Sequence, residues 1–242
     1  MDRHIVKYTE MHPEKEDNMK VLFLGNSYTY FNDLPAMTAE LAQAAGIDLI
    51  TDSITRGGAY LHQFADPADE LYGKWRAVYE KDRWDCVVFQ NQSFHPVKDP
   101  AAFRQAALDM QKLLRPGQRI LLYQTWAYKY GSDKLAGTGL AYDEMLTRMV
   151  SSCGAAADAV GGEAVPVGQA FAQVRALHPE IELYNPDGSH PSPAGTYLAA
   201  CLSLAKISGH SPLYFAIPEC VSVEEGGILR SAADWMTALV GV

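Results

Sequence analysis

From Met19 onward the chain alternates short apolar runs with longer stretches of helical periodicity. That order is the signature of βαβ units, whose strands pair in parallel and are covered by helices on both faces. Val21 to Gly25 reads as a buried strand, and Leu34 to Ala45 as a helix with one apolar side, stopped by Gly46. Further strands are expected at Leu49 to Ile54, Cys86 to Phe89, Ile120 to Tyr123 and Ala164 to Val167, the last suited to an edge or an end by Pro166. Helices are expected around Asp69 to Lys81, from Pro100 to the Arg115-Pro116-Gly117 stop, and over Tyr142 to Cys153, Pro193 to Ser208 and Ser231 to Val240. The architecture this predicts is α/β: a three-layer α/β/α sandwich around a five-stranded, mostly parallel sheet. No repeat, low-complexity tract or long linker divides the chain. Residues 1–18 are therefore read as an N-terminal extension and 19–242 as a single domain.

Composition narrows the partners. Lys and Arg total 20 against 29 Asp and Glu, a formal charge of -9 that argues against nucleic acid or an anionic membrane surface as partner. No segment approaches the roughly 20 apolar residues of a membrane helix. Cys86, Cys153, Cys201 and Cys220 lack any C-x-x-C spacing and are read as free thiols. With no metal-ligand spacing, P-loop or Gly-x-Gly-x-x-Gly fingerprint, no metal and no cofactor are expected. The first eighteen residues are rich in charge and hold no signal-peptide core, so a cytoplasmic setting is the expectation. The expected partner is a small-molecule or carbohydrate ester; the oligomeric state is left open.

In an open parallel sheet, functional loops collect beyond the carboxyl ends of the strands. The first such loop carries Ser27, whose hydroxyl and backbone N–H would both face the sheet's edge, unless it is simply a turn or cap serine. Late in the chain, Asn185 to Ser192 is a polar loop before an apolar helix. Its Asp187 and His190 are spaced so that the carboxylate can hold the imidazole Nδ1–H while Nε2 faces a serine. Taken separately, an Asx-turn aspartate and a solvated histidine would explain the same residues.

Together, the two loops resemble a named family. Gly25-Asn26-Ser27-Tyr28-Thr29 is similar to the Gly-Asp-Ser block of the SGNH, or GDSL-type, hydrolases, and Asp187-Gly188-Ser189-His190-Pro191-Ser192 to their Asp-x-x-His block. The resemblance spans residues 20–207 in layout and implies a flavodoxin-like fold. It implies Ser27 as nucleophile, His190 as base and then acid, and Asp187 as the residue orienting His190. It also implies an oxyanion hole from the Ser27 N–H, the N–H of Gly58, with Gly57 as the other register, and an asparagine side chain. There the sequence departs: Gln90-Asn91-Gln92-Ser93 stands for Gly-x-Asn-Asp, putting Gln90 at the glycine and Gln92 at the asparagine. Gln92 can donate the same hydrogen bond; Asn91 is the alternative, although strand alternation turns it to the opposite side. Asn26 replaces the family's aspartate at a position outside the triad.

Tyr28, Trp126 and Asn91 are the candidate substrate-binding residues; with Tyr30 and Tyr128 the two rings either form an aromatic wall or pack beneath the loops, and His62, His95 and Arg56 near the same edge either touch a substrate or are solvated loop residues. The α/β-hydrolase fold also runs Ser, Asp, His along the chain, but here the serine stretch ends in Thr29, and Asp187 and His190 share one loop. The expected activity is a serine esterase acting on small acyl esters, with O-acetyl carbohydrate as the suggested case, through an acyl-enzyme. Two alternatives are a catalytically weak glycan- or acyl-ligand-binding protein on the same fold, and an acyltransferase.

Overall fold

The computed structural model describes residues 18–240; the expected extension, apart from its last residue, lies outside the described residues. Among the described residues the strands are β1 (Met19–Gly25), β2 (Leu49–Thr55), β3 (Cys86–Phe89), β4 (Arg119–Tyr123) and β5 (Glu163–Val165). They form one sheet in the order β2-β1-β3-β4-β5, and every neighbouring pair is parallel. The helices are α1 (Ser27–Tyr30), α2 (Leu34–Ala44), α3 (Leu61–Ala65), α4 (Glu70–Lys81), α5 (His95–Lys98), α6 (Pro100–Lys112), α7 (Asp133–Ala136), α8 (Tyr142–Ala159), α9 (Val167–Leu177), α10 (Pro193–Ser208) and α11 (Val223–Val240).

The period-two geometry of a strand sends alternate side chains to opposite faces. Val21 and Phe23 of β1, Val88 of β3 and Leu121 of β4 join the core under α2, α9, α10 and α11. Leu22, Leu24, Val87 and Leu122 join a second core under α3, α4 and α6. Both faces of the central strands β1, β3 and β4 are covered, which is why these three read as apolar runs, while the edge strand β2 is largely exposed or half-exposed.

The short helices α1, α3, α5 and α7 are unforeseen, and three longer elements differ from the sequence reading. The run expected to end as strand at Val167 instead turns at Pro166 and becomes α9, an unforeseen helix whose buried Val167, Ala170, Phe171 and Val174 follow helical spacing. Helix α8 continues past Cys153 to Ala159. Helix α11 begins at Val223 rather than Ser231, despite Gly226 and Gly227. A capping box starts it: Ser222 Oγ accepts from the Glu225 N–H at 3.2 Å, and its hydroxyl donates to the Glu225 carboxylate at 2.7 Å.

Strand register levels the sheet's carboxyl edge, with Gly25 beside Thr55 and Leu24 beside Phe89. The strand order reverses between β1 and β3, so the loops after these two strands diverge and leave a crevice, the switch point where open α/β sheets bind ligands.

Candidate active site

The loop after β1 is built around close approach. Asn26 caps α1: its Oδ1 accepts from the Tyr28 N–H at 3.1 Å, and its Nδ2 donates to the Ala59 carbonyl at 2.9 Å. The Gln90 carboxamide oxygen accepts from the Asn26 N–H at 2.7 Å and from Thr29 Oγ1 at 3.1 Å. Gln90 therefore braces the turn from the neighbouring strand. Gly25 makes room for it, since a Cβ there would lie 2.3 Å from Thr29 Oγ1 and 2.6 Å from Gln90 Oε1. The result presents Ser27 at the first turn of α1, with a backbone N–H that has no acceptor among the described residues.

The second half is a closed loop. The Asn185 N–H donates to the His190 carbonyl at 2.8 Å, and the Ser192 N–H to the Leu183 carbonyl at 3.0 Å. Ser192 then caps α10, accepting from the Gly195 N–H at 3.1 Å. Within the loop, Asp187 Oδ1 accepts from the N–H groups of Ser189 and His190, both at 2.9 Å, and Oδ2 meets His190 Nδ1. Burial works to raise the Asp187 pKa, but the His190 imidazole and the two backbone N–H groups outweigh it and hold the carboxyl below its ordinary value. An ionised carboxylate only accepts, so the ring proton sits on Nδ1 and the Nε2 lone pair faces outward. Ser27 Oγ lies 2.8 Å from that nitrogen. A serine, an imidazole and a carboxylate in this line can move a proton off the hydroxyl as it attacks.

Gly58 sits in the loop after β2 with φ of +68° and open space where a Cβ would be, a backbone that glycine adopts without strain. Its N–H, like that of Ser27, has no acceptor among the described residues. Gln92 is half-buried in the loop after β3. Its Oε1 accepts from the Phe94 N–H at 2.9 Å and the His95 N–H at 2.8 Å, fixing the carboxamide and leaving Nε2 without a partner among the described residues. Asn91 points away, as strand alternation requires. Its Oδ1 accepts from the N–H groups of Leu61 and Gln92, each at 2.8 Å, and its Nδ2 donates to His95 Nδ1 at 2.9 Å. Asn91 is thus committed to joining the loops after β2 and β3 rather than facing a ligand.

The aromatic wall is a correction. Trp126 is fully buried, stacked on Phe171 at 4.1 Å with its Nε1 donating to the Ser189 carbonyl at 3.0 Å. Tyr28 is buried beside it and shares a 2.5 Å hydrogen bond with Ser189 Oγ. Tyr128 is likewise buried, its hydroxyl on Ser93. These rings support the loops from below and offer no face to a substrate. Arg56 is taken up by Asp69 through a bidentate pair at 2.8 and 2.9 Å. The exposed rings are Tyr30 and Tyr60; Tyr60 packs edge-on to His95 at 5.0 Å and lies 5.5 Å from His62. One residue the sequence reading passed over is Phe31, whose ring stacks on the His190 imidazole.

A solved protein from Slackia heliotrinireducens, assigned to the SGNH hydrolases, is 33% identical to this chain, matching 79% of it and 100% of its own length with a TM-score of 0.71. The chain belongs to the SGNH hydrolase family. The parallel five-stranded sheet of this SGNH hydrolase is the family's. A DUF4886 family protein from Bacteroides uniformis shares the fold more completely, with a TM-score of 0.78 over 92% of this chain and 95% of its own at 20% identity. An acetyl xylan esterase shares it at a TM-score of 0.59 and 17% identity, over 78% of this chain and 99% of its own. No family model and no curated protein matches the sequence.

Proposed function

We propose that this SGNH hydrolase is a serine esterase that works through an acyl-enzyme on short acyl esters of carbohydrates. The observation that carries the reading is the 2.8 Å approach of Ser27 Oγ to His190 Nε2, with Asp187 on the other ring nitrogen. In this mechanism Ser27 Oγ attacks the ester carbonyl carbon while its proton passes to Nε2. The N–H groups of Ser27 and Gly58 and the Nε2–H of Gln92 stabilise the resulting oxyanion. The imidazolium then protonates the departing alkoxide as the C–O bond breaks, leaving the acyl group on Ser27. Water, losing its proton to His190, attacks that ester; the acid leaves and Ser27 regains its proton.

Support for a short acyl group and a sugar alcohol comes from the shared fold of the acetyl xylan esterase and from the exposed Tyr60 with His62 and His95 beside it. These rings follow Gly58 and Gln92 in the chain and offer an aromatic face and hydrogen-bonding edges of the kind a polyhydroxylated ring can use. The decisive test is hydrolysis of 4-nitrophenyl acetate, with a fluorophosphonate to label the nucleophile. Wild type is expected to turn over and to be labelled at Ser27, and Ser27→Ala to lose at least about 10³-fold in rate. Equal activity in the two proteins would remove Ser27 from the mechanism. An acyltransferase would reveal itself if an added sugar took the acetyl group in preference to water.

A further inference from the structure

The segment just after the serine grips both members of the Ser27–His190 pair. The Phe31 N–H donates to the Ser27 carbonyl. The Phe31 ring lies on the His190 imidazole with centroids 4.2 Å apart and planes 13° apart. Next in the chain, the Asn32 carboxamide donates to the Pro191 carbonyl at 3.0 Å and to Thr196 Oγ1 at 2.9 Å. Pro191 directly follows His190, so one residue holds the ring and its neighbour holds the loop that carries the ring.

The backbone of the same segment turns sharply where the grip is made. Among the described residues, Asn32 and Asp33 are the non-glycine residues with positive φ, both at 52°. Asn and Asp enter this region more readily than other side chains, and non-glycine residues held there gather at functional sites. Asn32 is held by its bonds to Pro191 of the His190 loop and to Thr196 of α10, and Asp33 by its side chain, which caps α2 by accepting from the Ala36 N–H at 3.2 Å. The need for a second grip lies with Asp187. Its side chain is 47% exposed, so water competes for the carboxylate that would otherwise fix the imidazole alone.

We infer that Phe31 and Asn32 are positioning residues that hold the His190 imidazole in line with Ser27 Oγ, supplying from the serine's own segment the restraint that the exposed Asp187 supplies only in part. The inference rests on the reading of Ser27 as nucleophile and His190 as base. Neither residue belongs to the sequence blocks that mark the site, and neither needs to touch substrate.

Three variants separate this role from simple packing. Phe31→Leu removes the ring and keeps the backbone donor; Phe31→Tyr keeps the ring; Asn32→Gly keeps the left-handed backbone and removes the carboxamide. The measurements are kcat/KM with 4-nitrophenyl acetate, the rate of fluorophosphonate labelling at Ser27, and Tm. Phe31→Leu and Asn32→Gly are expected to lower kcat/KM and the labelling rate together by about 10- to 100-fold, the scale of a small misalignment of reacting groups. Phe31→Tyr is expected to stay within about threefold of wild type, because the stacked face survives. Wild-type labelling in Phe31→Leu and Asn32→Gly, at whatever Tm, overturns the inference, as does a Phe31→Tyr protein as impaired as Phe31→Leu. Should Phe31→Leu fail to fold, Asn32→Gly decides alone. Absence of labelling at Ser27 in wild type would instead remove the reading on which the inference stands.

Discussion

Gln92 carries two tasks in one carboxamide, and they can be separated chemically. Its oxygen caps the turn into α5 by accepting from the Phe94 and His95 N–H groups, which leaves its Nε2–H as the donor proposed for the oxyanion. Gln92→Glu keeps the acceptor and the shape, removes the donor and places negative charge where negative charge develops. The expected loss in kcat is about 10²- to 10³-fold, the range for removing one oxyanion donor, with Tm near that of wild type. Wild-type kcat in this variant would exclude Gln92 from the hole. Gln90 shows the opposite economy. Its oxygen ties the serine turn to the end of β3, and the space it occupies is the space Gly25 leaves by having no Cβ.

At the scale of elements, α5 makes stability depend on pH. Burial pulls the His95 imidazole below its ordinary value; Asp99 opposes this, and His62 and Lys98 reinforce it. A group whose pKa is lower folded than unfolded binds its proton more readily in the unfolded chain. Its contribution is therefore complete above the ordinary histidine value of about 6.5 and is lost as pH falls from there toward the folded value. His95→Gln removes the titration, so its Tm should fall less than wild type between about pH 7 and pH 5; calorimetry showing parallel curves would refute this. Elements also explain what the sequence could reveal. The central strands were legible because burial on both faces writes them as apolar runs, and the two halves of the site because each motif is local. Helix α9 was hidden behind Pro166, and with it Phe171, the ring stacked on Trp126; without that helix nothing in the sequence decided whether Trp126 lines a wall or packs beneath the loops. The brace from Gln90 to Asn26 spans 64 residues of sequence and the stack of Phe31 on His190 joins distant loops, so no local pattern announces either.

For the whole molecule, the order β2-β1-β3-β4-β5 does the assembling. It puts the loop after β1 and the loop after β3 on either side of the switch point, while α10, packed under the same sheet, delivers the His190 loop to that edge. The chain as a whole carries a formal charge of -9. Such a field accelerates or repels charged ligands through long-range steering, which salt screens away. A neutral ester feels no such steering, and the proposed mechanism moves its charge within groups a few ångströms apart, at the sheet's edge, where screening acts weakly. Raising NaCl from about 0.05 M to about 0.5 M should therefore leave kcat/KM for 4-nitrophenyl acetate within about twofold. A tenfold or greater change with salt would mean that the acidic surface takes part in substrate capture, and would redirect the search for the natural ester toward charged compounds.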